Sequence, residues 1–408
     1  MNARIAQRLR FTAVAGPMLV SRLMALLAGL VLCLAATLAS AQIIKGSPRP
    51  PPSPDDLVGI TAGNDHTCVT KRNGKVYCWG RNDLGQAGVA STVMCVYYFC
   101  VDQPRFVTMA ALVDAGDHHT CTLDAAGNAS CWGNNGQGQL GIASQPPYYS
   151  AVNLPTPVTG GHQFSSISAG HASTCGLTLS GTYCWGAIAA GSTSPWQIAG
   201  WNPYQQRVSV GYMHACAIYV VGSWRGAGCW GNNTYGQAGV DPAQLPFPAP
   251  AVQASFDTTL TALSAQAYTT CADQSSGRVQ CVGYNGSGEL GNGNNLSTFQ
   301  AQTVGMGMAL SGVSSGLQHS CALNPAGQAF CWGNGWWGQL GNGVSGLSNS
   351  PQAVTGGRSY RAIAAGYQHT CAIGTDNHIY CWGSNYHGQL GTRWPGGWVS
   401  NPVLTLDP

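Results

Sequence analysis

The stretch that decides the fold is Ala62-Gly-Asn-Asp-His-Thr-Cys68, followed after nine residues by Cys78-Trp-Gly-Arg-Asn-Asp-Leu-Gly-Gln-Ala-Gly88. This unit recurs seven times along the chain of 408 residues, with substitutions in individual copies. The first cysteines of successive copies lie 53, 54, 41, 55, 50 and 50 residues apart. A repeat of this length suits one four-stranded blade of a β-propeller. The sequence therefore predicts an all-β ring of seven blades.

Cysteines confirm the repeat, because each copy holds one pair on facing strands of a predicted hairpin. The pairs are Cys68 with Cys78, Cys121 with Cys131, Cys175 with Cys184, Cys216 with Cys229, Cys271 with Cys281, Cys321 with Cys331, and Cys371 with Cys381. Cys95 and Cys100 form a further pair inside one insertion, and Cys33 lies near the N-terminus. We expect one disulfide in each blade and an oxidising compartment. A metal set of histidine and cysteines is the alternative, but zinc sites usually show cysteines two to four residues apart.

The cysteine spacing also predicts the hairpin turns. Pairing Cys68 with Cys78 leaves Arg72-Asn73-Gly74 at the tip. A three-residue hairpin needs a left-handed residue in its third position, which glycine and asparagine tolerate best. The same count places Gly127, Gly277, Gly327 and Asn377 at that position. The third and fourth repeats have a different number of residues between their cysteines, so their turns must differ.

The N-terminal segment has the order of a secretory signal. Arg4, Arg8, Arg10 and Arg22 precede an apolar run over residues 23–36, and Ala39-Ser40-Ala41 follows it. The run is shorter than the roughly 20 residues that span a bilayer, so we expect a signal peptide over 1–41 rather than a membrane anchor. Residues 42–54 read as a proline-rich linker, and 55–408 as the propeller. The mature chain keeps 13 basic and 14 acidic side chains, which predicts no nucleic-acid partner.

Histidine and tryptophan recur at blade intervals, which favours structural roles over catalysis. His66, His119, His214, His319 and His369 stand two residues before the first cysteine, and we expect them to be hydrogen-bonded in the interior. The tryptophans that follow the second cysteine predict packing between blades. The glycine-rich turn after each C-W-G is not a phosphate loop, because no helix or P-loop lysine follows it. No catalytic, cofactor or metal site is predicted.

The pattern A-G-x-x-H-T-C with C-W-G-x-N-x-x-G-Q-L-G resembles the regulator of chromosome condensation (RCC1) repeat, over nearly all of residues 55–408. The resemblance implies a seven-bladed propeller. The added cysteine pair departs from intracellular members and indicates an exported branch. The family repeat begins with a P-x-x-V strand, of which the first copy here lacks a clear example. Because the chain ends Asn401-Pro402-Val403-Leu404, we expect this terminal strand to join the first blade and close the ring.

Large aromatic residues that do not follow the repeat lie in the segments between repeats, which we interpret as inter-blade links. Tyrosine and tryptophan are favoured anchors in protein interfaces, and these residues are the candidate partner-binding set. The alternative is that several fold down over the blade ends. The set is Tyr97, Tyr98, Phe99, Tyr148, Tyr149, Trp196, Trp201, Tyr204, Trp336, Trp337, Trp394 and Trp398.

These observations predict a non-enzymatic, exported monomer that binds a protein or surface ligand through an aromatic-rich inter-blade loop face. The first alternative is an inhibitor of an extracellular or periplasmic enzyme, because one secreted propeller of the family inhibits β-lactamases through one face. The second is a carbohydrate-binding module, since exposed tryptophans also stack on sugars. An export signal would separate the chain from the nuclear GTPase on which the chromosome regulator acts.

Overall fold

The computed structural model describes residues 52–91, 93–144, 151–198, 205–243 and 249–408. The predicted signal peptide and most of the predicted linker lie outside the described residues. Residues from Ser53 to Pro408 form one compact unit, to which all that follows refers.

Each repeat folds into a four-stranded antiparallel sheet whose strands pair in chain order, which confirms the seven-bladed propeller. The first three blades are β1 (Leu57–Ala62), β2 (His66–Lys71), β3 (Lys75–Arg81) and β4 (Cys100–Met109); β5 (Leu112–Ala115), β6 (His119–Leu123), β7 (Ala129–Asn134) and β8 (Ala151–Pro157); and β9 (Ser166–Ala169), β10 (Ser173–Thr178), β11 (Gly181–Gly186) and β12 (Ser192–Gln197). The fourth and fifth are β13 (Gln205–Val210), β14 (His214–Val221), β15 (Trp224–Gly231) and β16 (Ala249–Gln253); and β17 (Leu260–Gln266), β18 (Thr269–Gln274), β19 (Val279–Gly283) and β20 (Thr298–Thr303). The last two are β21 (Ser311–Ser315), β22 (His319–Leu323), β23 (Ala329–Asn334) and β24 (Leu347–Ala353); and β25 (Tyr360–Ala365), β26 (His369–Gly374), β27 (Ile379–Ser384) and β28 (Trp398–Leu404). Short 3₁₀ turns occur at Ala187–Ala189 and Val304–Gly307.

The position of a strand in its blade determines its burial. The first strands of all seven blades line a central channel with a cavity of about 380 Å³. The second and third strands have neighbours on both sides, and β2 and β27 are almost entirely buried. The fourth strands lie at the outer edge and are more exposed, as in β4. The core therefore lies between adjacent blades, at the level of their middle strands.

All eight predicted cysteine pairs are joined in the structure. In each blade the two cysteines lie directly opposite each other on the second and third strands, as Cys68 does with Cys78. The predicted third turn position is left-handed in all five repeats that share the spacing: φ is 83° at Gly74, 84° at Gly127, 75° at Gly277, 78° at Gly327 and 68° at Asn377. The other two hairpins close with two-residue turns, since Thr178 pairs with Gly181 and Val221 with Trp224.

Adjacent blades are fastened by a repeated polar contact at the glycine-rich turn. In the first, second, sixth and seventh blades the tryptophan after the second cysteine donates its indole N–H to a backbone carbonyl of the preceding blade, as Trp132 does to Gln86 at 3.0 Å. The threonine before the first cysteine donates to the same carbonyl, as Thr120 does at 2.8 Å. The prediction that these tryptophans pack between blades is confirmed, and Trp79, Trp132, Trp332 and Trp382 are fully buried.

The prediction that the C-terminal strand joins the first blade is wrong. Strand β28 pairs with β27 of the seventh blade, where Leu404 lies opposite Tyr380. The first blade has its own fourth strand, β4, which contains the P-x-x-V segment Pro104 to Val107. The P-x-x-V segment therefore forms the fourth strand of a blade rather than its first strand, and the first blade is complete without the C-terminal strand.

The ring closes instead through side chains between the last and first blades. Trp79 and Val69 of the first blade share a buried cluster with Ile373 and Leu390 of the seventh. The Trp79 indole donates to the Gln389 carbonyl oxygen at 2.8 Å. The tail after β28 also reaches the first blade, where Lys71 Nζ donates to the carbonyl oxygen of Pro408 at 2.9 Å.

Candidate binding face

One face of the propeller carries two sets of loops. Because strands alternate in direction, the turn between the first and second strands and the connection between the third and fourth emerge on the same side of every blade. We call this side the loop face. Its turns are 63–65, 116–118, 170–172, 211–213, 267–268, 316–318 and 366–368, and the described parts of its connections are 82–91 with 93–99, 135–144, 187–191, 232–243, 284–297, 335–346 and 385–397.

Most of the described candidate aromatics lie on the loop face or at its border, but their segments are not inter-blade links. Each segment joins the third and fourth strands of one blade, and the true links emerge on the opposite face. Tyr97, Tyr98, Phe99, Trp336 and Trp394 are exposed in these connections, Trp337 is half-buried there, and Trp398 is exposed at the start of β28.

Trp196 does not belong to this group. It is 67% exposed, but it lies within β12, the outer strand of the third blade, opposite Cys184. Its prediction as a link residue is therefore wrong. The candidates Tyr148, Tyr149, Trp201 and Tyr204 lie outside the described residues.

The segment 93–100, which we call the clamp loop, projects an apolar tip from a closed base. The disulfide between Cys95 and Cys100 is buried, whereas Tyr97 is 67% exposed. Two backbone hydrogen bonds tighten the loop: Cys95 N–H donates to the Tyr98 carbonyl and Cys100 N–H to the Val93 carbonyl, both at 3.0 Å. The aromatic tip is thus held in a defined shape.

A network of charged side chains contacts the clamp loop at the ring of Tyr98. The Arg81 guanidinium lies 4.0 Å from the centre of the Tyr98 ring, a cation–π contact, and donates two hydrogen bonds to Asp83 at 2.7 and 2.8 Å. Asp65 lies 3.6 Å from Arg81 and 3.9 Å from His387. Burial raises the pKa of Asp65, although His387 and Arg81 oppose the shift. Burial also lowers the pKa of His387, which favours a neutral ring beside Tyr98.

A second aromatic group crosses the third, fourth and fifth blades. His171 stacks on Tyr212 with ring centres 4.0 Å apart, and Tyr212 lies 5.2 Å from Tyr268. Tyr235 follows at 5.2 Å from Tyr268 and 5.1 Å from Tyr284. We call Tyr212, Tyr268, Tyr235 and Tyr284 the tyrosine row. Sequence reasoning missed it because Tyr212 and Tyr268 occupy the two x positions of A-G-x-x-H, whose variation from copy to copy is the signal that could have found them.

The mouth of the channel on the loop face is bridged by one side chain. In six repeats the first strand is followed directly by glycine, as Ala62 is by Gly63, but the fifth repeat has Gln266 at that position. Its amide reaches Asp117 on the second blade at 3.4 Å, and Asp117 also accepts a hydrogen bond of 2.5 Å from His171. The channel is therefore partly covered at this end.

Across the described ranges, no group of three or more histidine, cysteine, aspartate or glutamate side chains is placed to hold a metal ion. Among the same residues, no helix is long and apolar enough to cross a membrane.

Comparison with known proteins identifies the repeat. Models of the regulator of chromosome condensation (RCC1) repeat match residues 58–86, 73–123, 127–177, 326–373 and 360–389. The chain is 28% identical over 207 residues to the ultraviolet-B receptor UVR8 of Arabidopsis thaliana, covering 46% of each chain. It is 30% identical over 140 residues to the human X-linked retinitis pigmentosa GTPase regulator, covering 34% of this chain and 13% of that protein. The matched stretch thus spans less than half of either relative.

The fold agrees with solved structures. The crystal structure of Prp20p from Saccharomyces cerevisiae superposes with a TM-score of 0.69 and 17% identity, covering 86% of each chain. At that identity the likeness concerns the fold alone. Models of the repeat match segments along the chain, and each repeat forms one four-stranded sheet, so the chain belongs to the regulator of chromosome condensation (RCC1) repeat family.

Proposed function

We propose that the protein is an exported, non-enzymatic propeller that binds a partner protein through the clamp loop and the aromatic residues beside it. The observation that carries the proposal is the clamp loop itself, in which a disulfide presents exposed Tyr97 and Phe99 on a rigid ring. Preorganised aromatic residues bind with a small loss of conformational entropy.

The clamp loop is continuous with the neighbouring blades. Tyr98 contacts His387 of the seventh blade, with ring centres 5.5 Å apart. The backbone N–H of Arg393 donates to the Asp102 carbonyl at 3.0 Å, which fixes the connection that bears Trp394 against the first blade. Trp337 of the sixth blade packs on Tyr386 of the seventh at 5.9 Å. We call Tyr97, Phe99, Trp336, Trp394 and Trp398 the seam patch.

Exposed aromatics of this size favour a protein partner. Trp394 is 80% exposed, and large apolar side chains clustered at a surface commonly mark an interaction site. Tryptophan and tyrosine dominate the binding energy of protein interfaces. Within the family, the structure of Prp20p was described together with its binding to Gsp1p and histones, which supports a protein-interaction role for the fold.

Export is the second part of the proposal. Eight disulfides in one chain are compatible with an extracellular location, because cytosolic thiols are kept reduced. The basic, apolar and small residues of segment 1–41 follow one another in the order of a secretory signal, which directs export.

Capture of extracellular proteins on the immobilised secreted protein tests the proposal. The variant is Tyr97→Ala with Phe99→Ala, and the matched control is Trp196→Ala, which removes an equally exposed aromatic from an outer strand. We expect wild type and control to recover the same protein and the variant to bind it at least about 100-fold more weakly. Equal recovery by all three would show that the clamp loop does not bind the partner. Activity assays on the captured protein would show whether binding is inhibitory.

A further inference from the structure

The tyrosine row differs from the seam patch in exposure. Among its four members only Tyr235 is exposed, at 40%, and the other rings are half-buried against one another. The row therefore leaves little apolar surface for a protein partner to cover. It also presents polar groups, because no phenolic hydroxyl of Tyr212, Tyr268, Tyr235 or Tyr284 has a hydrogen-bond partner in the part of the chain that the structure describes.

The surroundings of the row carry no positive charge. The turns 170–172, 211–213 and 267–268 and the connections 187–191, 232–248 and 284–297 contain no lysine or arginine. Their carboxylates are those of Asp241 and Glu289, and Glu289 is 2% exposed, with one oxygen accepting a hydrogen bond from Ser287 N–H. An anionic ligand would find no lysine or arginine here, and beyond those two carboxylates a cationic one would find only the Asp117 carboxylate beside His171, which already accepts hydrogen bonds from His171 and Gln266. An uncharged ligand needs no counter-charge.

One end of the row opens into a polar pocket between the second and third blades. The pocket has a volume of about 160 Å³ and is lined by His118, Asn134, Gln137 and His171, among others. His171 is both the stacking partner of Tyr212 and a wall of this pocket. The Nδ1 atom of His118 is buried and has no hydrogen-bond partner among the described residues.

The hydrogen bond from His171 to Asp117 sets the chemistry of the shared ring. With Nδ1–H donating to Asp117 Oδ2 at 2.5 Å, Nε2 is the ring nitrogen left to contact a ligand. That atom can form a hydrogen bond with a ligand hydroxyl. The site thus combines ring surfaces, phenolic hydroxyls that donate and accept, and an imidazole nitrogen.

We propose that the tyrosine row and this pocket bind an uncharged oligosaccharide. A sugar chain carries hydroxyls along its edges and C–H groups on its ring faces, which matches a narrow line of rings bearing hydroxyls. The terminal sugar would occupy the pocket beside His118 and His171, and the following sugars would lie along Tyr212, Tyr268 and Tyr235. A site of several aligned rings recognises a chain better than a single sugar, because each unit adds a contact.

Titration calorimetry with linear hexasaccharides tests the proposal. The probes are neutral hexamers of glucose, mannose, galactose and N-acetylglucosamine, with the disaccharides and a uronic acid hexamer as comparisons. We expect at least one neutral hexamer to bind with a Kd below about 1 mM, at least tenfold more tightly than its disaccharide and than the uronic acid hexamer. Tyr212→Ala with Tyr268→Ala should weaken it at least tenfold.

Two controls separate this site from the others. Tyr212→Phe with Tyr268→Phe keeps the rings packed, and we expect an intermediate loss that shows the part played by the hydroxyls. Tyr97→Ala with Phe99→Ala should leave sugar binding unchanged, whatever the fate of the seam patch as a protein site. Absence of binding by every neutral hexamer, or equal binding by the Tyr212 and Tyr268 alanine variant, would overturn the proposal. Loss of captured protein in that variant, without sugar binding, would assign the row to the protein interface instead.

Discussion

His214 in the fourth blade lies 2.8 Å from the hydroxyl of Thr270 in the fifth, through its Nε2 atom. Because the Thr270 hydroxyl donates to the Gln237 carbonyl at 2.8 Å, it must accept from an Nε2–H group of His214. The same contact joins His66 to Thr120, His119 to Thr174, His319 to Thr370, and His369 to Thr67. Five of the seven blade boundaries thus depend on a buried neutral histidine, which confirms the structural role predicted for it.

These histidines should make the ring sensitive to acid. Burial lowers the pKa of His119, His214, His319 and His369 to about 3, and that of His66 well below its usual value. Since the unfolded pKa is about 6.5, this stabilisation is complete above pH 6.5 and is lost as the pH falls toward 3. Each histidine contributes up to about 1.4 kcal/mol per pH unit, and we expect the urea midpoint to fall steeply between pH 6.5 and 4.

Four carboxyls act in the opposite direction, since burial raises the pKa of Asp65, Asp114, Asp273 and Glu289. Burial raises the pKa of Asp114 to about 6, so its stabilisation is present below pH 4 and lost as the pH rises through 6. The five histidines are more numerous and their pKa values are shifted further, so the net effect remains acid destabilisation. A urea midpoint that stays constant from pH 7 to pH 4 would contradict the assignment of neutral interior histidines.

At the boundary between the third and fourth blades, both residues of the histidine–threonine contact are replaced. Ser173 occupies the histidine position of the third blade, and Ala215 occupies the threonine position of the fourth. We predict that His119→Ser and Thr174→Ala each cost about 1–3 kcal/mol, because each leaves a buried polar group without its partner. The double variant should cost at least 0.5 kcal/mol less than the sum of the two. Urea unfolding of the four proteins measures the coupling, and strict additivity would show that the contact contributes nothing specific.

Local spacing predicted the blades and their disulfides well, for a physical reason. Cysteines on a hairpin are close in sequence, so the ten-residue separation of Cys68 and Cys78 determines both register and turn. The same holds for the left-handed residue, whether it is Gly74 or Asn377. By contrast, the assignment of the P-x-x-V strand to a blade is a question of long-range pairing, and there the terminal strand was misplaced.

The binding face shows the same limit. Tyr212 and Tyr284 are far apart in the chain, and packing of the fourth blade against the fifth brings them into one line. The contact of Arg81 with Tyr98 likewise involves an insertion whose course the repeat pattern does not predict. Sequence identified which residues escape the repeat, but their placement required the structure, as the position of Trp196 on an outer strand shows.

Gln266 allows a test of how closely the turns of neighbouring blades approach each other on the loop face. At six blade boundaries a turn on the loop face donates a backbone hydrogen bond to the next turn, as Asn64 N–H does to the Asp117 carbonyl at 3.2 Å. A Cβ on Gly63 or Gly316 would overlap the carbonyl of the following turn. The boundary after Gln266 has no such bond within the described ranges.

We therefore predict that Gln266→Gly lets Ala267 N–H bond to the sixth blade. Amide exchange at Ala267 should slow at least tenfold, while global stability changes by less than about 1 kcal/mol, since the new bond and the added chain entropy nearly cancel. Gly316→Ala is the reciprocal variant and should cost about 1–3 kcal/mol through overlap with Gly366. Unchanged exchange at Ala267 would show that the turn, and not the side chain, keeps the two blades apart.

The two kinds of disulfide should separate stability from binding. Replacing Cys121 and Cys131 with alanine opens an inter-strand bridge in the buried core, and we expect a loss of about 3 kcal/mol with little effect on the clamp loop. Replacing Cys95 and Cys100 frees a surface loop in the folded state as well as the unfolded one, so the stability loss should be smaller. Partner affinity should instead fall at least tenfold, because Tyr97 and Phe99 must be ordered on binding. Thermal unfolding and affinity measured on both variants should give a crossed pattern, and unchanged affinity without the Cys95–Cys100 bridge would mean that the propeller holds the clamp loop by itself.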